Sequence, residues 1–350
     1  MSEYISRYDF REQIEGVRKV RPKPTLFRST FFNGPEYFST TENIEWDEIR
    51  GGAPMAKYIH PRIPVAPTER AGFMTHEVRT PFIQEARIIT ADQLTRRQFN
   101  ENIYDPISPA ERAQQYRNAD YAFCIDAIDN RVEQQCASMI LQGRVDILTD
   151  TGMDLGHVDF GTRPLLTLTG GLRWGQAGVD PRDALLLMYN ELLEDDYLPT
   201  RVLMGEGAYR LFERDPEVVK RLDVLRGNWG AIEPRAPESI TSEIFKCRLT
   251  DPALDIFVYN ALQTDPHTGV RSRVIPDNMV LLFGEDARVN RLMFGAVTII
   301  DDDKNWQTVP GRYVPERRVI QDPPTERIQV TSRPLPTPVY PDSWYVAYVF

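Results

Sequence analysis

The sequence predicts a mixed α+β chain organised along one unusually long helix, and three observations predict it. From Ser108 to Gln142 a helical period runs without interruption. Before it lie aromatic and proline-bearing stretches with little helical period, and after it strand-like runs alternate with short capped helices. The last residues, Thr325 to Phe350, return to strand-like sequence, so the tail should close a sheet opened earlier in the chain.

The helix is the best specified element. Ser108 suits the N-cap, Pro109 the first helical position, and Glu111 the third, which together make a capping box. Ala113, Tyr116, Tyr121, Ile125, Ile128, Val132, Cys136, Met139 and Ile140 recur mostly three or four apart, with Asp120, Asp126, Asp129, Asn130, Glu133 and Gln134 between them, predicting one buried stripe and one wet face. Gly143 stands where the helix should stop, giving a rod of roughly 50 Å at 1.5 Å per residue.

Upstream, residues 3–20 can form a short amphipathic helix through Tyr4, Ile5, Tyr8, Ile14 and Val17, ended by Pro22 and Pro24. Thr25 to Ile49 carries Leu26, Phe27, Phe31, Phe32, Tyr37, Phe38 and Trp46, so it must pack on its own body or on a neighbour. Gly51 to Ile89 reads as a long hairpin, Met55 to Val65 going out and Phe73 to Ile83 coming back, around Pro67, Glu69, Arg70 and Gly72. Pro61, Pro64 and Pro67 remove ladder donors from the outgoing limb, and an isolated two-stranded ribbon is marginal in water, so it should find contacts elsewhere.

Downstream, Val145 to Leu148 and His157 to Phe160 predict two strands joined by a turn at Thr151 to Asp154, followed by a glycine-rich loop from Thr162 to Gly178. Asp180, Pro181 and Asp183 start a helix over Pro181 to Asp195. Val202 to Met204 predicts a strand, and Gly207 to Phe212 and Pro216 to Leu225 predict helices. Leu254 to Leu262 and Arg273 to Phe283 predict a hairpin, and Arg291 to Ile300 one more strand. Trp344 to Phe350 is apolar on both faces, which predicts a central, buried strand.

With 350 residues, 41% of them hydrophobic, the chain can build a real core without staples. Its three cysteines, Cys124, Cys136 and Cys247, are an odd set with no CxxC pair and read as small buried hydrophobes in a reducing compartment. No apolar run approaches the roughly 20 residues that span a bilayer, and Met1 to Phe10 lacks a signal-peptide core, predicting a soluble product of the cytoplasm. A net charge of -10 argues against broad attraction to nucleic acid. With lysine only at positions 19, 23, 57, 220, 246 and 304, nearly all positive charge is arginine; forked ion pairs at subunit contacts and a bias in genome composition explain this equally well.

Candidate chemistry is thin. Asp150-Thr151-Gly152 resembles the triplet of aspartic proteases, with Leu281 to Gly284 as a flap-side partner, and makes an aspartic-type hydrolase the alternative reading. The chain has one such triplet, Thr149 is polar where that motif is apolar, and a turn between strands needs Asp and Gly in any case. His60, His76, His157 and His267 lack metal-ligand spacing, and Asp301 to Asp303 read as a solvated turn rather than a cation site. No phosphate loop or nucleophile elbow is present in the sequence, and no catalytic residue, cofactor or metal is expected.

The order of parts is informative. Leu26-Phe27-Arg28-Ser29-Thr30-Phe31-Phe32 followed by Thr40 to Ile44, then Gly52-Ala53-Pro54-Met55-Ala56-Lys57-Tyr58-Ile59, then Val274-Ile275-Pro276-Asp277-Asn278-Met279-Val280 and Pro341-Asp342-Ser343-Trp344-Tyr345-Val346 resemble in order and spacing the lambda-type major head protein, capsid family E of tailed bacteriophages. The resemblance covers nearly the whole chain and implies the Hong Kong 97 capsid fold. Residues 1–50 would be an N-terminal arm, 51–97 the E-loop, 98–170 the P domain with its spine helix at about 109–142, 171–320 the A domain, and 321–350 a return to the P domain.

The resemblance further implies a non-enzymatic virion protein, assembled in the host cytoplasm from copies of itself as hexamers and pentamers, with another shell-forming protein of the same fold as an alternative beside the hydrolase using Asp150. Scaffold, portal and decoration proteins would be separate chains, and packaged double-stranded DNA would lie only in loose proximity. The E-loop, with Arg62, Pro67, Glu69 and Arg70 as inter-subunit residues, would lie across the neighbouring subunit; Lys57 is not expected to crosslink.

Overall fold

Helix Pro109–Gln142 forms where its local signals place it. In the computed structural model, which describes residues 26–49, 73–96, 108–148, 154–162, 165–216, 218, 243–250, 252–264, 269–300 and 305–350, Ser108 Oγ accepts the Glu111 N–H at 3.2 Å while the Glu111 carboxylate accepts the Ser108 N–H at 3.0 Å. Gly143 ends the helix in the left-handed region at φ 72° and donates to the Met139 carbonyl at 2.9 Å. A Cβ there would also stand 1.9 Å from Thr162 Oγ1, so conformation and space both require glycine.

Two sheets flank this spine. Val314–Gln321, Pro324–Ser332 and Ile83–Thr90 form a three-stranded antiparallel sheet in that order, packed on the first half of the helix. The larger sheet has six strands in the order Leu166–Thr167, Trp344–Tyr348, Met279–Gly284, Pro199–Met204, Ala253–Val258 and Ile244–Thr250. Leu185, Met188 and Leu192 of helix Pro181–Glu194 and Phe212 of helix Glu206–Arg214 cover one of its faces. Its other face, through Leu203, Leu281, Phe283 and Val346, joins the main core with Met139 and Ile140 of the spine. Apolar cover on both sides explains why Met279 to Gly284 reads as an unbroken apolar run and is buried throughout.

Several pairings differ from the sequence reading. Leu254 to Leu262 and Arg273 to Phe283 do not form one hairpin: only Leu262–Thr264 pairs with Arg271–Arg273, while Ala253–Val258 and Met279–Gly284 flank Pro199–Met204. Pro276, which lacks an N–H, interrupts the second stretch before its central strand begins. Arg291 to Ile300 is likewise two strands. Arg291–Phe294 pairs with Pro334–Thr337, and Val297–Ile300 with Trp306–Val309. The break falls at Gly295, where a Cβ would meet Thr80 Oγ1 at 2.3 Å. The tail also divides, with Pro324–Ser332 in the three-stranded sheet and Trp344–Tyr348 central in the larger one, as its two apolar faces predict.

The aromatic arm has a home in its own subunit. Phe27, Phe31 and Ile44 are buried in the main core, and Phe31 packs on Phe283 with ring centroids 4.7 Å apart. The segment's apolar spacing suits a short helix, Leu26–Phe31, rather than an arm without shelter.

Gly205, at the start of helix Glu206–Arg214, marks the tightest approach between that helix and the 276–277 turn: a Cβ would lie 2.2 Å from the Pro276 carbonyl oxygen. Backbone on both sides has no room to yield. Gly205→Ala is expected to cost about 1–3 kcal/mol, read as a lowered midpoint in urea unfolding at unchanged slope.

Candidate assembly surfaces

The spine helix is fastened to three bodies. Arg117 and Arg317 converge on Glu326 of the three-stranded sheet at 2.7 and 2.6 Å, and Arg87 reaches Asp120 at 3.2 Å. The Trp344 indole N–H donates to the Ile140 carbonyl at 2.9 Å, tying on the six-stranded sheet. On a third side Glu133 accepts the Phe27 and Arg28 N–H groups at 2.8 and 3.0 Å, supplying from another element the acceptor that the free first turn of Leu26–Phe31 lacks.

One turn earlier, Asp129 collects Arg28 at 2.8 Å, Arg312 at 3.5 Å and the Tyr313 hydroxyl, while Arg312 also reaches Glu36 at 3.1 Å. Burial raises the Asp129 carboxyl above its ordinary range despite these partners, and raises Glu36 likewise. Burial alone would lower Arg28, but Asp129 and Tyr313 beside it outweigh that and leave it raised.

These carboxylates correct the wet-face expectation: Asp120, Asp129 and Glu133 are all buried. The signal was present, because Asp129 and Glu133 stand four apart and so share one face. The arginine excess finds a use here too, in partly buried pairs within the chain.

Projection from the body begins at Asn43. Asn43–Ile49 pairs antiparallel with Phe73–Arg79, from Asn43 opposite Arg79 to Ile49 opposite Phe73, so the ribbon's first limb starts inside the stretch read as arm. Buried Ile44, the Trp46 ring against Phe160 at 6.0 Å, and the Glu42 carboxylate between Arg79 and Arg333, both at 3.1 Å, root it. The hydrogen bond from Arg333 holds Glu42 below the usual carboxylate range. Met55 to Val65 and the expected contact residues Arg62, Pro67, Glu69 and Arg70 lie outside the described residues.

Large apolar side chains are exposed at separate places: Ile88 and Ile320 on the open face of the three-stranded sheet, Leu193, Leu198 and Tyr340 beside helix Pro181–Glu194, and Trp306 with Ile300 on a hairpin. No sequence signal distinguished these from core residues, since exposure depends on what the rest of the chain covers.

The sites weighed for chemistry are only partly among the described residues. Asp150, Thr151 and Gly152 lie outside the described residues, and Leu281 to Gly284 is the buried middle of a sheet and cannot serve as a flap. His76 stacks on Trp46 at 5.3 Å and His157 stands in strand Asp154–Asp159, on separate ladders. No helix among the described residues is long and apolar enough to cross a membrane.

Cys124 and Cys136 are buried, and Cys247 is half-buried. Burial pushes the Cys124 thiol up to about 12, Cys247 to about 11, and Cys136 well above its ordinary value. Burial also raises Tyr121, Tyr259 and Tyr313, and Tyr209 to about 12. The folded state therefore keeps protons that the unfolded chain releases from about pH 8.5 for thiols and about 10 for phenols. Stability is expected to be intact below about pH 8.5 and to fall as pH climbs towards 12, measured by urea unfolding across that range.

With this geometry in hand, the sequence matches the family model for phage major capsid protein E over residues 9–349. The chain belongs to that family. A P21 prophage-derived major head protein from Escherichia coli O6:H1 strain CFT073 is 24% identical over 342 residues, spanning 96% of this chain and 98% of the relative. The major capsid protein of Enterobacteria phage P21 matches to the same extent. Among solved structures, a prophage capsid protein from E. coli CFT073 superposes with a TM-score of 0.67 at 16% identity, over 97% of this chain and 99% of that one. A phage-related protein from Bordetella bronchiseptica RB50 gives 0.50 at 11% identity over 96% of each chain. The capsid protein thus has the Hong Kong 97-like fold, with the long helix as its spine.

Proposed function

We propose that this phage major capsid protein assembles as hexamers and pentamers into an icosahedral head around packaged double-stranded DNA, in the host cytoplasm, and that its role is structural rather than catalytic. The ribbon root carries this reading. Asn43–Ile49 and Phe73–Arg79 pair only with each other among the described residues, and a two-stranded ribbon leaving its core needs a surface to lie on. An adjacent copy supplies one, and head-to-tail contacts of that kind close into rings and shells.

On this reading residues 1–42 form the arm and the E-loop begins at Asn43, with Arg62, Pro67, Glu69 and Arg70 meeting the neighbour. Residues 98–170 and 321–332 belong to the P domain, and 171–320 to the A domain, which shares its large sheet with strand Trp344–Tyr348. Scaffold, portal and decoration proteins would be further partners. A net charge of -10 suits a wall that must release the DNA moving past it. Electron microscopy of the purified chain, alone and with its scaffold, is expected to show shells, tubes or six-membered rings; monomer alone under every condition would overturn the reading.

A further inference from the structure

We propose that the ribbon of one copy lays its Glu45 and Glu77 carboxylates on Arg318 and Arg327 of a second copy's three-stranded sheet. The inference rests on the self-assembly reading and names the surface that receives the ribbon there. Glu45 stands directly opposite Glu77 in the ladder of Asn43–Ile49 and Phe73–Arg79, and Arg318 directly opposite Arg327 in the ladder of Val314–Gln321 and Pro324–Ser332. Like charges facing each other across a ladder destabilise it. Among the described ladders these are the one pair of two acids and the one pair of two bases. Their own subunit relieves them little. Glu77 accepts the Asn43 amide at 2.6 Å and Arg318 meets Glu316 at 2.5 Å, while Glu45 and Arg327 make no ion pair with the described residues.

Both pairs lie on free faces. Ile44 and Trp46 turn one side of the ribbon towards its own body, which leaves Glu45 and Glu77 exposed on the other. On the sheet, Arg327 is also directly opposite Ile88, and Ile320, two residues from Arg318, shares that face; the two isoleucines are 56% and 49% exposed. Each pair has its two Cα atoms about 5 Å apart, so acids and bases match in spacing as well as in sign. A single copy does not bring its own pairs together. Glu326, next to Arg327, is held by Arg117 near the start of the spine. Trp46, next to Glu45, packs on Phe160, whose N–H donates to the Gly143 carbonyl just past the other end. Arg117 and Gly143 are roughly 40 Å apart along the helix. The acidic pair of one copy therefore meets the basic pair of another, and because the two surfaces differ, the contact is heterologous and repeats head to tail.

The test reverses one charge at a time in the full chain. Glu45→Arg and Arg327→Glu each turn a like-charged ladder pair into an opposite one, so the urea-unfolding midpoint of the unassembled subunit should stay the same or rise. Shell yield, by sedimentation and electron microscopy, should nevertheless fall about tenfold or more, since the contact recurs at every subunit. Parent-like yield from both variants would overturn the contact. So would a lowered midpoint, which would mean that the charges serve their own ladder. Independently, Thr75→Cys and Ile320→Cys, flanking the two pairs, are introduced alone and together into a Cys247→Ser chain whose remaining native thiols, Cys124 and Cys136, are buried. After treatment with a flexible bis-maleimide, a ladder of covalent oligomers is expected from the double variant and from neither single one. Dimers from Thr75→Cys alone would mean that ribbons meet each other, and shells without crosslinks that the ribbon lies elsewhere; either overturns this contact and leaves the capsid reading intact. Absence of any assembly by the unmodified chain would instead strike the capsid reading itself.

Discussion

Asp129→Ala is expected to destabilise the subunit by about 3–5 kcal/mol, the largest single-residue loss we foresee, because it strands positive charge in a buried place. The Asp129 side chain is 4% exposed, and its partners Arg28 and Arg312 are 16% and 22% exposed. Arg28 comes from helix Leu26–Phe31 and Arg312 from the approach to the three-stranded sheet, so both elements lose their common anchor on the spine at once. Removing both charges should be gentler. In Arg28→Met/Asp129→Leu the desolvation cost disappears along with the attraction, and its loss should be smaller than the sum of the two single losses. Urea unfolding of the unassembled subunit measures all three variants; an additive double variant would show that the pair acts through packing alone.

The same cluster shows where sequence reading reached its limit. Helix Pro109–Gln142 was legible to the residue, because Ser108, Glu111 and Gly143 act through bonds to backbone within one turn and Pro109 through its fixed φ. Asp180 announced the start of Pro181–Glu194 in the same way, accepting the Arg182 N–H at 2.9 Å. Trp344 to Tyr348 was legible as a central strand since its apolar residues fall on both faces. None of these readings requires knowing what lies opposite.

Where the outcome depended on a distant segment, the sequence showed at most a shared face and not the partner that covers it. Asp129 and Glu133 look solvated until Arg28, Phe27 and Tyr313 arrive from more than 100 residues away. Gly295 divides a continuous apolar stretch because Thr80 occupies the space a side chain would need. The arm was expected to need shelter and finds it against Phe283 and the spine, a choice between own body and neighbour that composition cannot make. Family order and spacing were legible in spite of this, since they survive changes in the individual contacts. The expected contact residues of the E-loop tip fall outside the described residues, so they stand as proposals resting on the ribbon's root.

That root makes a sharper deletion possible than removal of Met55 to Arg79, which would take away strand Phe73–Arg79 and leave Asn43–Ile49 without its ladder. Ile49 and Phe73 are direct partners, so replacing residues 50–72 with Asn-Gly joins them through a two-residue turn of the type whose twist matches the flanking strands. The shortened ribbon keeps every described pair and its anchors at Ile44, Trp46 and Glu42. Loop closure becomes easier rather than harder, so the subunit should unfold within about 1 kcal/mol of the parent. Assembly should respond quite differently: if the removed residues are what each copy lays on the next, a contact repeated around every ring is lost at once, and particles should fall below detection by electron microscopy and sedimentation. Normal shells built from the shortened chain would show that the ribbon is an ornament of the surface and that the subunits are held by other contacts.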